Sequence, residues 1–330
     1  MARLRHIDTL RGIAILAVVI QHILESTGFT SFVNLGRFGV LLFFLISGYV
    51  IPFSFSGERP LRRFAISRAF RLYPAYWASL AAAVILARTG DLETVLLNVT
   101  MIQRLFAVPD VVWVYWSLFY ELSFYGLCCA LFASGALKRS NILALLAVLS
   151  LTLHIELCLA DRLPPIWNEG FEFIGFMLVG SVLRRAHLDL DRIAIRWAMP
   201  LITLLSITGL VAAGIIHRVP MNSNPFMSVR AMGLAATGAI LVFHAVNKAR
   251  FEWAPMTYLG KISYSVYLFH AVALIAVGSL KLPLPNFVIV VVMATLTISV
   301  LSYQLVEVPA TTLRRWITKD RSSEARSIAI

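Results

Sequence analysis

Charge is scarce in this chain. Of its 330 residues only 14% are Asp, Glu, Lys or Arg, while 59% are hydrophobic and the mean hydropathy is +0.81. A soluble globular domain carries roughly 25% charged residues, so that class is excluded and a polytopic membrane protein fits. Acidic residues are scarcer still, 17 against 29 Lys and Arg, for a net charge of +12. The basic residues are dispersed among short segments between apolar runs. That pattern points to anionic lipid and an anionic cosubstrate, and away from nucleic acid. Cysteine is nearly absent. Cys128, Cys129 and Cys158 all lie in apolar runs, so no disulfide frame or metal-ligand spacing follows and no metal is expected. An internal repeat is lacking too, which weakens a transporter built from inverted halves. The first hydrophobic stretch has no Ala-x-Ala-like cleavage site and holds ionisable groups, so it is not expected to be a signal peptide.

What is present is a series of about ten apolar runs of bilayer-spanning length. They lie near 7–26, 37–54, 72–88, 112–133, 141–160, 167–183, 197–216, 228–247, 257–278 and 286–307. Turn and breaker residues bound them, such as Pro164-Pro165, Pro220 with Pro225, and Pro283 with Pro285. With the N-terminus in the cytoplasm, 20 of the 29 Lys and Arg fall in inner segments and 7 in outer ones. This bias predicts an all-α, multi-pass bundle with both termini cytoplasmic. The expected organisation is one transmembrane domain over 1–318 and a polar cytoplasmic tail over 319–330.

The run IDTLRGIAILAVVIQHILE, residues 7–25, is apolar enough to enter a bilayer yet carries Asp8, Arg11, His22 and Glu25. A lone charge at mid-membrane costs roughly 3 kcal/mol even on lenient scales, so such residues usually have a use. Eleven residues at about 100° each leave His22 about 20° from alignment with Arg11, about 16 Å further along the axis. A cation near one surface and an imidazole near the other suit a reaction that draws on both sides. The plainer alternative pairs Arg11 with Asp8 one turn away and leaves His22 as a packed residue.

The segment RPLRRFAISRAFRLYPAYW holds Arg62, Arg63, Arg68 and Arg71. Basic clusters between spans mostly fix topology. Arg68 and Arg71 are nonetheless at i and i+3, where on a helix they could clamp phosphate from one side. The fourth run reads WVYWSLFYELSFY: Trp113, Tyr115 and Trp116 suit an interfacial aromatic belt, and Glu121 lies deeper with no basic partner on its own helix. His270 falls in the outer half of the ninth run, and Glu307 ends the tenth at the cytoplasmic boundary, as an interfacial carboxylate. Glu172, His154 and Glu156 are further ionisable groups to which the sequence assigns no role. His22, Glu121 and His270 thus share the outer half, and Arg11, Arg68 and Arg71 the inner.

At these residues the chain resembles the acyltransferase-3 family of polytopic membrane acyltransferases. The matching segments are IDTLRGIA followed by His22, GRFGVLLFFLISGYVI, RRFAISRAFRLYPAYW with its Arg-x-x-Arg, WSLFYELSFY, LGKISYSVYLFH and SYQLVEVP, in the family's order. One departure is Leu41, where many members have Asp. The extra SGNH-type domain of some members is not expected here.

The resemblance implies transfer of an acyl group, most often acetyl, from cytoplasmic acyl-CoA to a carbohydrate hydroxyl at or beyond the outer face of a bacterial inner membrane. On that reading Arg68 and Arg71, with Arg11, hold the phosphates of the cosubstrate. His22 serves as general base or transient acyl carrier, and Glu121 orients it or receives its proton. Asp8, Trp116, Ser117, His270 and Glu307 complete the candidate site. Two competing classes are a proton-coupled secondary transporter using the same His and Glu residues, and a non-catalytic subunit of a glycan export system.

Overall fold

The computed structural model describes residues 4–29, 33–87, 91–160, 165–190 and 229–318, with scattered positions between 192 and 204. All regular structure among these residues is helical. The expected span at 197–216 lies almost wholly outside them.

The α-helices of the described residues are, in chain order, α1 Arg5–Ser26, α2 Leu35–Val50, α3 Pro60–Ala87, α4 Leu92–Val99, α5 Trp116–Ala133, α6 Ser140–Ala160, α7 Pro165–His187, α8 Val229–Ala249, α9 Ala254–Lys261, α10 Ser263–Gly278, α11 Leu284–Ser302 and α12 Val308–Ile317. A π-helical turn, Tyr303–Glu307, joins the last two. Among the described residues six segments are long and apolar enough to cross a membrane: Arg5–Ser26, Leu35–Ser54, Pro60–Leu86, Trp113–Ala133, Ser140–Leu157 and Leu284–Ile317. The pair α9 and α10, bent by 74°, makes a seventh if read as one broken span.

Two boundaries differ from the sequence expectation. The arginine-rich segment is not a loop: α3 starts at Pro60, at the first helical position, where a missing N–H costs nothing, and runs past Pro74. The final segment, Leu284–Ile317, has 34 residues. At 1.5 Å per residue that is about 51 Å, far more than the ~30 Å hydrocarbon core, so part of it extends beyond the lipid tails.

The chain divides into two compact units. The first comprises Met1–Pro52 and Tyr115–Tyr267. Within it α1 packs on α2 and α9, while α2 packs on α7 and α8, and α6 on α7. Glycine permits the closest of these approaches. A Cβ on Gly12 would overlap the Met256 carbonyl, and one on Gly260 the Asp8 carbonyl, so α1 and α9 touch backbone to backbone. Gly48 and Gly180 do the same where α2 crosses α7. Leu41 is fully buried, so the position that is polar in many family members is apolar core here.

The second unit comprises Phe53–Val114 and Leu268–Ile330. Within it α3 packs on α4, on the π turn and on α12. On α11 the buried stripe is Val291, Thr295, Ser299 and Ser302, while Ile289, Met293, Leu296 and Leu301 are exposed. A helix that hides hydroxyls and shows aliphatic side chains is built to face lipid.

Candidate active site

The first unit carries Asp8, Arg11, His22, Trp116, Ser117 and Glu121. Asp8 is buried, and Arg11 Nη1 reaches its carboxylate at 3.2 Å, the i,i+3 pair that the sequence allowed. His22 is half-buried on the same helix and lies within the field of Glu25, one turn on. Its neighbour Gln21 is fully buried. Gln21 donates from Nε2 to Glu25 Oε1 at 2.9 Å, and its Oε1 accepts the Leu35 N–H at 3.0 Å. The imidazole-bearing turn is therefore tied to the start of α2, which Asn34 caps by accepting the Arg37 N–H at 2.8 Å.

On α5, Glu121 accepts the Tyr125 hydroxyl at 2.5 Å, so its nearest intrahelical partner is a phenol rather than a base. Ser117 Oγ and the Tyr267 hydroxyl share a buried hydrogen bond of 2.6 Å. Trp116 stacks at a tilt on Phe173, ring centroids 5.3 Å apart. Cys128 and Cys129 are free thiols.

The same unit holds a cluster that sequence reasoning missed. Arg37 on α2 pairs with Glu172 and, at 3.5 Å, with Glu169, both on α7. His154 on α6 reaches Glu172 at 3.9 Å, and the Arg37 guanidinium lies over Phe173 at 5.4 Å. Glu172 and His154 thereby acquire a structural reason. Two carboxylates at i and i+3 on a span were the available signal, since such a pair calls for a cation from another helix.

The second unit carries Arg68, Arg71, His270 and Glu307. His270 is completely buried. Arg68 donates to Ser54 Oγ at 2.5 Å and lies over the Phe64 ring at 5.2 Å, with Phe64 itself stacked on Phe55. Glu307 corrects the expectation of a simple interfacial carboxylate. It is buried, and it accepts from Arg71 Nη1 at 2.5 Å. The π turn inserts one residue and so rotates the downstream helix by about 100°, which aims Glu307 at α3 instead of along the original face. A third arginine arrives from α12: Arg314 Nη1 donates to Ser67 Oγ at 2.8 Å. In the sequence Arg314 is only one of the 20 inner basic residues of the topology count. Its signal was its position seven residues after Glu307, two helical turns on and on the same face.

What each unit can do is distinct. The second concentrates guanidinium groups held in fixed orientations, a chemistry suited to phosphate. The first presents an imidazole on a helix anchored at both ends, a chemistry suited to proton transfer.

Similarity to known proteins extends along most of the sequence. The chain is 26% identical over 337 residues to a protein of Komagataeibacter xylinus named "Putative membrane-bound transacylase BcsY", covering 92% of this chain and 82% of that protein. No solved structure matches it. The family model described as an acyltransferase domain matches residues 4–304, nearly the whole length, and the chain belongs to that acyltransferase-3 family of membrane proteins.

Proposed function

We propose that this chain is a membrane O-acyltransferase that moves an acyl group, acetyl in the first instance, from cytoplasmic acyl-CoA to a hydroxyl of a surface or exported carbohydrate. The observation that carries the reading is the arginine cluster of Arg68 and Arg71, anchored by Ser54 and Glu307, in a chain of an acyltransferase family that also bears His22 within a span. The ratio of inner to outer basic residues supports about ten spans with both termini in the cytoplasm; the bacterial inner membrane is the placement that goes with this reading.

An alcohol is a poor nucleophile near neutral pH, and His22 supplies the base. The acceptor O–H proton passes to the imidazole as its oxygen attacks the thioester carbonyl. The tetrahedral intermediate collapses with cleavage of the C–S bond, and the departing thiolate takes the proton. The products are the ester and free coenzyme A. Glu121 orients the imidazole, and Arg68, Arg71 and Arg11 hold the cosubstrate's phosphates by charge-assisted bonds. Ser117, Trp116 and Asp8 of the first unit and His270 of the second are the further residues proposed for substrate contact.

The test is mass spectrometry of cell glycans with the wild-type chain, without it, and with His22→Ala. Loss of an ester without the chain supports the reading, and unchanged glycans overturn it. His22→Ala is expected to abolish the ester at an unchanged protein level in the membrane. Retained ester removes His22 from the mechanism.

A further inference from the structure

Three arginines of the second unit gather where α12 meets α3. Arg314 on α12 docks on Ser67, the residue beside Arg68 and one turn before Arg71. Its guanidinium lies within electrostatic reach of Arg68, Arg71 and Arg315. Serine hydroxyls accept from both Arg314 and Arg68, which orients the two guanidinium groups. Glu307 offsets the charge of Arg71. Like charges gathered this closely repel one another, and a polyvalent anion among them relieves that repulsion. Each guanidinium is also held in advance by its serine, carboxylate or aromatic neighbour, so little ordering remains when an anion arrives. Arg314 lies beyond residues 4–304, the span matched by the family model.

We propose that Arg314, positioned by Ser67, is a further phosphate-binding residue that acts with Arg68 and Arg71 on the acyl donor. The assignment rests on the acyltransferase reading above, which already takes that donor to be acyl-CoA. A thioester on a carrier protein offers a single phosphodiester and could engage one arginine of the three. A lipid headgroup shares the phosphate chemistry, and the experiment separates that source.

Purified full-length protein in detergent is assayed for acetyl transfer from a series of donors with falling phosphate content: acetyl-CoA, acetyl-dephospho-CoA, acetyl-4′-phosphopantetheine and acetylpantetheine. Wild-type KM should rise along the series. Arg314→Ala should raise KM for acetyl-CoA by about tenfold or more, the range of one lost charge-assisted bond. It should barely change KM for acetylpantetheine, and kcat should hold for both. Ser67→Ala, which keeps every charge, should give a smaller rise of the same kind, and serves if Arg314→Ala does not fold. An equal KM for wild type and both variants across the series overturns the proposal while leaving the acyltransferase reading in place.

A second arm needs no turnover. Adenosine 3′,5′-bisphosphate should raise the thermal midpoint of wild type and not of Arg314→Ala. If that shift is seen but no donor supports transfer, the anion site stands and the acyltransferase reading falls. If phosphatidylglycerol in nanodiscs gives the shift and the bisphosphate does not, the cluster is a lipid anchor and the proposal is overturned.

Discussion

Arg71 and Glu307 meet across 236 positions of sequence, with the arginine Nη1 donating to the carboxylate at 2.5 Å. The two ends of the pair are unequal: the Arg71 side chain is 33% exposed and that of Glu307 only 3%. Water can reach the cation if the carboxylate is lost, but the carboxylate is not similarly served if the cation is lost.

The first prediction rests on that asymmetry. Arg71→Ala should destabilise the protein by about 3 kcal/mol, since it leaves a buried charge without this partner, and Glu307→Ala by less. The double variant should fall well short of the sum of the two. Thermal unfolding in one detergent, by intrinsic fluorescence, measures all three.

Arg71→Lys separates binding from topology. Lysine satisfies the positive-inside bias as well as arginine does, but it lacks the planar fork that grips phosphate with two parallel bonds. KM for acetyl-CoA should rise about tenfold with the orientation unchanged. An unaltered KM would assign Arg71 to topology alone.

Glycine contact between α1 and α9 gives the third prediction. Gly260→Ala drives a methyl into the Asp8 carbonyl, and neither backbone can yield without moving the helix that bears Arg11 and His22. Overpacking of this kind costs about 1–3 kcal/mol. Ester formation in cells should drop further than the membrane level of the protein. Gly126→Ala on α5 meets nothing within 4 Å and should be silent, measured by the same two readouts.

In the first unit, Glu172→Gln keeps the shape of the side chain and removes its charge. Arg37 is then left with Glu169 at 3.5 Å, and His154 loses the carboxylate it faces. A loss of about 2 kcal/mol is expected in thermal unfolding. Replacing both Arg37 and Glu172 by leucine should recover most of it, because a buried pair is often no better than an apolar one. A double variant as unstable as Glu172→Gln would mean that the charge has a further partner.

These residues also mark where sequence reading reached its limit. The apolar runs were legible because lipid demands a composition that no soluble fold shares, and the pair Arg11–Asp8 was legible because i,i+3 spacing fixes it. Arg68 and Arg71 stood out once their segment was taken as helical. The burial of Glu307 and its pairing with Arg71 were not legible, because they depend on the π turn, and no residue type announces an extra residue in a helical turn. Arg37 and Glu172 lie 135 positions apart and meet only through the crossing of α2 and α7. Gly12 and Gly260 looked like motif residues, and their reason is steric: only the folded backbones reveal it. Periodicity carries what one helix decides alone, and it is silent on which helices touch.

The scheme as a whole requires that donor and acceptor be met from opposite sides of the membrane, and cysteine accessibility tests this. In a background with Cys128, Cys129 and Cys158 replaced by alanine, single cysteines are placed at Ala69, exposed beside Arg68, and at Ser26, exposed one turn past His22. A membrane-impermeant maleimide added to intact cells should label Ser26→Cys and spare Ala69→Cys until the membrane is opened. The expectation comes from the proposed topology, in which 20 basic residues fall inside and 7 outside, as the positive-inside bias favours. Labelling of both positions from one compartment would place the arginine cluster and the imidazole on the same side. If both stay unlabelled until the membrane is opened, the acyl group has no membrane to cross and the acceptor is a cytoplasmic molecule rather than an exported one. If both are labelled in intact cells, the arginine cluster cannot meet a cytoplasmic donor.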